Sequence, residues 1–467
     1  MRIVCRATLL LSVALVGCSS PPPPTEEAPP NEYPVRADWL VVAPPKATPR
    51  EPFSAGLTPL AGLDPLRTDS AFTPAGPSSL LVPEVKGRAI LDTSEKGLAH
   101  LKPDPRPLLA AGLRALFGTP ADPTVGLSPA RLRDLIAAKE AERKQPGLKE
   151  EQKETLESEI TELKERAAEF EQQQPIVAEL GLDDETLKHG GRLFRTYCQQ
   201  CHGATGDGGG PSAPTLFPQP RDYRQGLFKF ISTKPDPQGV RPRRADLHRT
   251  IRHGLDGTAM LAYSSLTDAE IEALVSYVLH LSIRGECEYQ WLKIAADRTK
   301  ADDIVPERAF FDLADTLKKV LPVWQRSNQA PVEIAADPYE TPDEQLRAAA
   351  RGHAVFLDAT QGGCVSCHTN YGRSANLAFD SWGGVARPRD LTAGLFRVSR
   401  HKDDLYTRLY CGIPGVNMPS HADALKLRDE DKAAGRDRIW DVVHFVRAIS
   451  DPATRRELER KYGVRIE

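Results

Sequence analysis

Cys198-Gln199-Gln200-Cys201-His202 and Cys364-Val365-Ser366-Cys367-His368 are two copies of one pattern, Cys-x-x-Cys-His, in a chain of 467 residues that holds eight cysteines. The spacing has a chemical reason. One turn of chain sets two thiols against the same porphyrin edge, where they add across the vinyl groups, and turns the next imidazole under the iron. Two other readings of Cys-x-x-Cys compete. A zinc knuckle needs two further ligands at short spacing, usually a second Cys pair. A thioredoxin-like redox pair follows a strand in a βαβ pattern, which is absent here. Each copy instead carries its own His in its own recurring context. The motifs therefore predict two covalently bound haem c groups. Cys198, Cys201, Cys364 and Cys367 are the thioether positions, and His202 and His368 the proximal iron ligands.

The surroundings of the two motifs repeat. Gly190 to Phe194 stands before the first as Gly352 to Phe356 stands before the second. Downstream, Pro220-Arg221-Asp222 recurs as Pro388-Arg389-Asp390, and Gly226-Leu227-Phe228-Lys229 as Gly394-Leu395-Phe396-Arg397. Asp246-Leu247 recurs as Asp404-Leu405, and Gly254 to Gly257 as Gly412 to Gly415. Each copy then reaches a methionine, Met260 or Met418, and closes on an amphipathic helix, Asp268 to Leu281 or Arg438 to Ile449.

On these residues each copy resembles a class I cytochrome c domain, and is similar to the cytochrome c domains of the third subunit of cbb3-type oxidases and of planctomycete cytochromes. The resemblance covers a little under half the chain. It implies an all-α fold in which an N-terminal helix crosses a C-terminal helix beside the haem. Gly190 with Phe194, and Gly352 with Phe356, take the crossing positions. Their implied partners are Leu274 and Tyr277, and Val443 with Phe445 or Val446. The resemblance also implies that Met260 and Met418 are distal axial ligands. Only three methionines occur, one of them Met1, so both others fall at matching repeat positions. Pro419 follows Met418 as the family prefers, whereas Leu261 follows Met260. His253 and His421 are the rival distal ligands, and bis-His ligation would lower the potential. Arg221 and Arg389 are candidate propionate partners, because a guanidinium matches a carboxylate bidentately. An Arg–Asp turn inside the same motif is the alternative. Asp207 with Gly206, Gly208, Gly209 and Gly210 reads as a tight loop beside the first haem.

Covalent haem is attached outside the cytoplasm, and the chain begins accordingly. Arg2 and Arg6 precede a short apolar core, Ala7 to Val16, of signal-peptide length. Leu15-Val16-Gly17-Cys18 looks like a bacterial lipobox, which implies cleavage before Cys18 and its lipidation. The expected location is the periplasmic side of a bacterial membrane, reached through that lipid anchor. Cys287 and Cys411 then remain, either as two buried thiols or as a disulfide.

The division expected along the chain is a lipoprotein signal peptide over 1–17 and a Pro-rich irregular segment over 18–125. A helical hairpin or short coiled coil follows over 126–182. Domain 1 spans 183–284, a helical connector 285–340, domain 2 341–450, and a C-terminal tail 451–467. Within the Pro-rich segment, Trp39 to Val42 is apolar enough to dock on a folded surface. In the hairpin, Ser128 caps a helix from Pro129 to Lys144. Leu156, Ile160, Leu163, Ala167 and Phe170 then mark one face of a second helix over 149–174.

The formal net charge is only −3, so no electrostatic footprint for nucleic acid is present. An iron held by His and Met has no open position for a substrate, so such a centre exchanges electrons. The chain is expected to be an electron carrier rather than an enzyme, working between redox-protein donor and acceptor in a respiratory chain. The second reading is a haem-bearing subunit of a larger oxidoreductase, such as a terminal oxidase or a quinol-oxidising complex. A dihaem peroxidase is a third, opposed by the methionine in each copy.

Overall fold

The computed structural model describes Tyr33 and residues 106–297, 308–360, 362–374, 378–381, 385–416, 418–425 and 428–466. The apolar leader, Cys18 and Trp39 to Val42 lie outside the described residues. The fold is all-α. Its helices are α1 (Arg106–Phe117), α2 (Pro129–Arg143), α3 (Glu150–Glu165), α4 (Ala167–Glu179), α5 (Asp184–Tyr197), α6 (Gln199–His202), α7 (Arg244–His253) and α8 (Asp268–Asp297). They continue as α9 (Ala309–Gln329), α10 (Pro342–Leu357), α11 (Cys364–Cys367), α12 (Lys402–Cys411), α13 (Asp429–Ala433), α14 (Arg438–Ser450) and α15 (Pro452–Tyr462). The one sheet among the described residues is a two-residue antiparallel pair, β1 (Ala378–Phe379) with β2 (Val385–Ala386).

Local chemistry starts the two key helices. Asp183 accepts the Thr186 N–H at 3.0 Å ahead of α5. Thr341 opens α10 with a capping box: its hydroxyl accepts the Glu344 N–H at 3.3 Å, and the Glu344 carboxylate accepts the Thr341 N–H at 2.9 Å. Helix α5 crosses α8, and α10 crosses α14. A Cβ added to Gly190 would overlap the Ala273 carbonyl and lie 3.0 Å from the Tyr277 Cβ. One added to Gly352 would overlap the Asp441 carbonyl and lie 2.9 Å from the Phe445 Cβ. Only glycine lets these backbones approach so closely. Beside each glycine an aromatic pair closes the crossing: Phe194 with Tyr277, and Phe356 with Phe445, both at 5.3 Å between ring centroids. The crossing partners are therefore Ala273 with Tyr277, and Asp441 with Phe445. Leu274 and Val443 are fully buried in the two cores that the crossings anchor.

Four segments differ from the sequence reading. The segment read as Pro-rich and irregular contains α1, whose Leu109, Leu113, Leu116 and Phe117 recur at helical spacing and are buried. Helix α8 does not stop at Leu281 but runs on through the start of the connector. Ile283, Cys287, Trp291 and Leu292 extend its apolar surface, and its buried charges are matched internally. Arg284 pairs with Glu288 at 3.0 Å, and Glu286 accepts the Trp324 indole N–H at 2.8 Å and binds Arg241. The helix expected over 149–174 divides at Arg166 into α3 and α4. The segment read as a tail carries α15, with Leu458, Val464 and Ile466 buried in the second core. Helix α2 begins as expected, the Ser128 hydroxyl accepting the Arg131 N–H at 3.3 Å.

Candidate haem sites

Both motifs sit on a single helical turn. In the first, the Cys201 and His202 N–H groups donate to the Cys198 carbonyl at 3.1 and 2.9 Å. In the second, the His368 N–H donates to the Cys364 carbonyl at 2.8 Å. Burial pushes the Cys198 thiol up to about 12 and the Cys364 thiol up to about 11. Both are thus thiols rather than thiolates before attachment.

The two motif histidines are held alike. His202 Nδ1 lies 3.1 Å from the Arg221 carbonyl, and His368 Nδ1 lies 3.2 Å from the Arg389 carbonyl. A carbonyl only accepts, so Nδ1 carries the proton and Nε2 presents its lone pair. This is the tautomer a metal-binding imidazole needs, fixed by its outer partner. Burial pulls both imidazoles below their ordinary range and keeps them neutral. The Pro-Arg-Asp repeat thus has a backbone role that the sequence did not announce. The acid of the first copy is engaged elsewhere: Asp222 takes the Arg224 guanidinium at 2.9 and 2.8 Å. In the second copy Asp390 caps Thr392, accepting its N–H at 2.9 Å.

The methionine loops also superpose in their bonding. Leu255 N–H donates to the Met260 carbonyl at 3.1 Å, and Ile413 N–H to the Met418 carbonyl at 2.9 Å. Each loop leaves its helix through a left-handed glycine, Gly254 at φ 67° or Gly412 at φ 70°. A Cβ on Gly254 would lie 2.6 Å from the Met260 carbonyl oxygen, and one on Gly412 2.5 Å from the Pro419 carbonyl carbon. Glycine is therefore required twice by one turn. Leu261, where the first loop departs from the Met-Pro pattern, is 67% exposed.

The rival histidines separate. His253 is exposed at the end of α7, whereas His421 is buried in the second domain and close enough to His368 to lower its proton affinity. The loop around Asp207 is tight, as read: Asp207 accepts the Gly209 N–H at 2.8 Å and the Thr205 hydroxyl at 3.2 Å. Cys287 and Cys411 are both buried free thiols. Among the described residues no group of three or more His, Cys, Asp or Glu converges as a shared zinc site would require.

The donor set fits a covalent haem: two thiols and a neutral, oriented imidazole on one turn. In the first domain the Tyr223 ring lies 5.3 Å from His202 and stacks on Phe228 at 5.8 Å. Its buried hydroxyl has no hydrogen-bond partner among the described residues, an orphan polar group that a bound cofactor would be placed to satisfy.

Sequence reasoning missed one group of side chains. Lys229 of the first domain binds Asp380 of the second at 3.0 Å, and both are largely buried. Arg221 and Arg397 lie close by. The sequence signals were Arg221 itself and a basic residue ending Gly-Leu-Phe-x in both copies.

The model of the family "cytochrome c oxidase, cbb3-type, subunit III" matches residues 185–278, from α5 to α8. No curated protein matches. Among solved structures, a chain of the Kuenenia stuttgartiensis reducing HAO-like protein complex is similar at 22% identity and a TM-score of 0.38, over 56% of this chain and 96% of that one. The matched family and the all-α crossing define the span around Cys198 as a c-type cytochrome domain. It implies covalently bound haem c and a role in haem-based electron transfer.

Proposed function

We propose that the chain is a dihaem c-type cytochrome that relays single electrons through two closed haem centres. The observation that carries this reading is the duplicated proximal anchor: His202 on the Arg221 carbonyl and His368 on the Arg389 carbonyl, each one turn after a Cys pair. Bound haem c supplies a one-electron iron couple. The protein supplies the rest. Cys198 and Cys201 would tether one group and Cys364 and Cys367 the other, with Met260 and Met418 as the distal ligands. With both groups bound, the chain would pass single electrons from a reduced donor protein to an oxidised acceptor. With Met260 and Met418 as ligands, neither iron would offer hydrogen peroxide an open position.

Lipidation at Cys18 places the relay on the periplasmic side of a bacterial membrane, in a respiratory chain. A second reading, a haem-bearing subunit of a larger oxidoreductase, is favoured by the matched family's being an oxidase subunit. Co-purification of a partner complex from native membranes separates the two.

Intact mass of the purified protein tests the haem number. Two haems added per chain, reduced to one by Cys364→Ala with Cys367→Ala, is the expected result. One haem in the unaltered protein overturns the dihaem reading.

A further inference from the structure

The two copies part company beside the second motif. Gly190 and Gly352 are equivalent, so the residues that follow them, Gly191 and His353, are equivalent too. In the first copy a side chain has no room there: a Cβ on Gly191 would lie 3.0 Å from the Tyr277 ring. A second exchange accompanies this one. The Gly206 carbonyl accepts the Tyr223 N–H at 3.1 Å, and in the second copy the Tyr371 carbonyl accepts the Leu391 N–H at 2.9 Å. A tyrosine thus stands where the first copy has a glycine, and a leucine where it has Tyr223. Tyr371 adopts φ 57°, in the left-handed region that a bulky residue rarely enters and that Gly206 enters freely at φ 74°. Such a conformation persists only where its surroundings hold it. Here the Tyr371 ring lies 5.7 Å from Phe356 and 6.0 Å from Phe445.

The strained position delivers a hydroxyl to His353. Tyr371 donates to the Arg465 carbonyl at 3.3 Å, so its oxygen accepts from His353 Nε2 at 3.2 Å. Nε2 then carries the proton and Nδ1 presents a lone pair. The half-buried His353 ring lies 5.2 Å from Phe445. From there the aromatic stack continues through Phe356, at 5.3 Å, to His368, at 6.4 Å. Burial pulls the His353 imidazole below its ordinary range and keeps it neutral. Charged groups on the surrounding elements are engaged with one another. Asp441 of α14 binds Arg351 at 2.8 Å, His444 of α14 binds Asp337 at 3.1 Å, and Lys461 of α15 binds Glu457 at 2.9 Å and Asp343 at 3.3 Å. After the turn Thr369–Gly372, the Arg373 guanidinium lies 6.0 Å from the centre of the Tyr371 ring.

We propose that His353, held by Tyr371, takes up a proton when the second haem is reduced, a proton-linked site for which the first domain has no counterpart. The electron comes from the donor protein and the proton from solvent. The Nδ1 lone pair binds that proton, no other bond forms or breaks, and oxidation releases it. Reduction removes one positive charge from the iron and so raises the proton affinity of His353. By reciprocity, a proton on His353 favours reduction of that haem by the same factor. Acid therefore draws the electron toward the second domain. The inference rests on the dihaem reading above.

Redox titrations of the whole protein at pH 8 and pH 5, followed through visible spectra, test the site, with haem per chain counted on the same samples. The variant with Cys364→Ala and Cys367→Ala keeps only the first haem and so assigns the potentials. From pH 8 to pH 5 the reduction equilibrium of the second haem should rise about threefold, or ~28 mV at ~59 mV per tenfold for a one-electron couple. His353→Gln still offers an amide N–H to the Tyr371 hydroxyl but does not titrate, and should lose more than half of that rise. If this variant fails to fold, Tyr371→Phe decides: it leaves the imidazole without its hydrogen bond, and the rise should again fall by more than half. Two haems per chain with no rise in the unaltered protein, or with more than half of it kept in the deciding variant, overturns the site. One haem per chain removes the dihaem reading and the site with it.

Discussion

At the scale of single residues, the two glycines at the helix crossings are the least replaceable positions outside the motifs. Gly352→Ala forces a Cβ into the Asp441 carbonyl. The holoprotein should lose about 3 kcal/mol, read from urea unfolding; an unchanged midpoint would mean that the crossing does not pack this closely. Met418→Ala should abolish the thioether-to-iron charge-transfer band of the second haem, while Met260→Ala removes that of the first. Retention of both bands in either variant would contradict the assignment of that ligand. A third residue sets a pH response. Burial first, and Arg284 second, pull His280 down to about 3 from an ordinary 6.5. The unfolded chain therefore binds the extra proton between those values, so stability is full above 6.5 and declines as pH falls toward 3, by up to ~1.4 kcal/mol per pH unit. Denaturation at pH 7 and pH 5 should show the decline, and His280→Gln should flatten it. The glycines and motif residues were legible because they repeat. His280 was not, because its burial depends on Tyr33 and Phe117, which are distant in sequence.

At the scale of elements, the repeat was readable and the additions around it were not. The capping residues Ser128 and Thr341 mark helix starts in the sequence, since a side-chain oxygen must satisfy free N–H groups there. Helix α1 was hidden by the prolines around it, and the extension of α8 by charges that turn out to be paired inside the core. Helix α15 reads as polar because only Leu458 of its eleven residues is fully buried. Its contribution is nevertheless structural, through Leu458 and the Val464 and Ile466 that follow. Ending the chain after Asp451 should cost the second domain at least about 3 kcal/mol. Thermal unfolding followed at the second haem would show it, and an unchanged transition would place α15 outside that core.

At the scale of the molecule, the first domain is embedded in its surroundings and the second stands on its own core. Residues from α1, α4 and α9 join α5 and α8 in one core, while α10, α12, α14 and α15 form the other. The two meet at contacts between side chains of equivalent repeat elements, Arg249 of α7 on Asp404 of α12 among them. Motif spacing could suggest two haem domains, but not that Lys229 of the first would pair with Asp380 of the second. That follows from tertiary placement alone. A potentiometric titration of the whole protein, followed through its visible spectrum, decides whether the chain is a relay. Two one-electron steps are predicted, with both oxidised centres low-spin and both carrying the methionine band. A single one-electron step, or a centre that is high-spin and consumes peroxide at a catalytic rate, would contradict it.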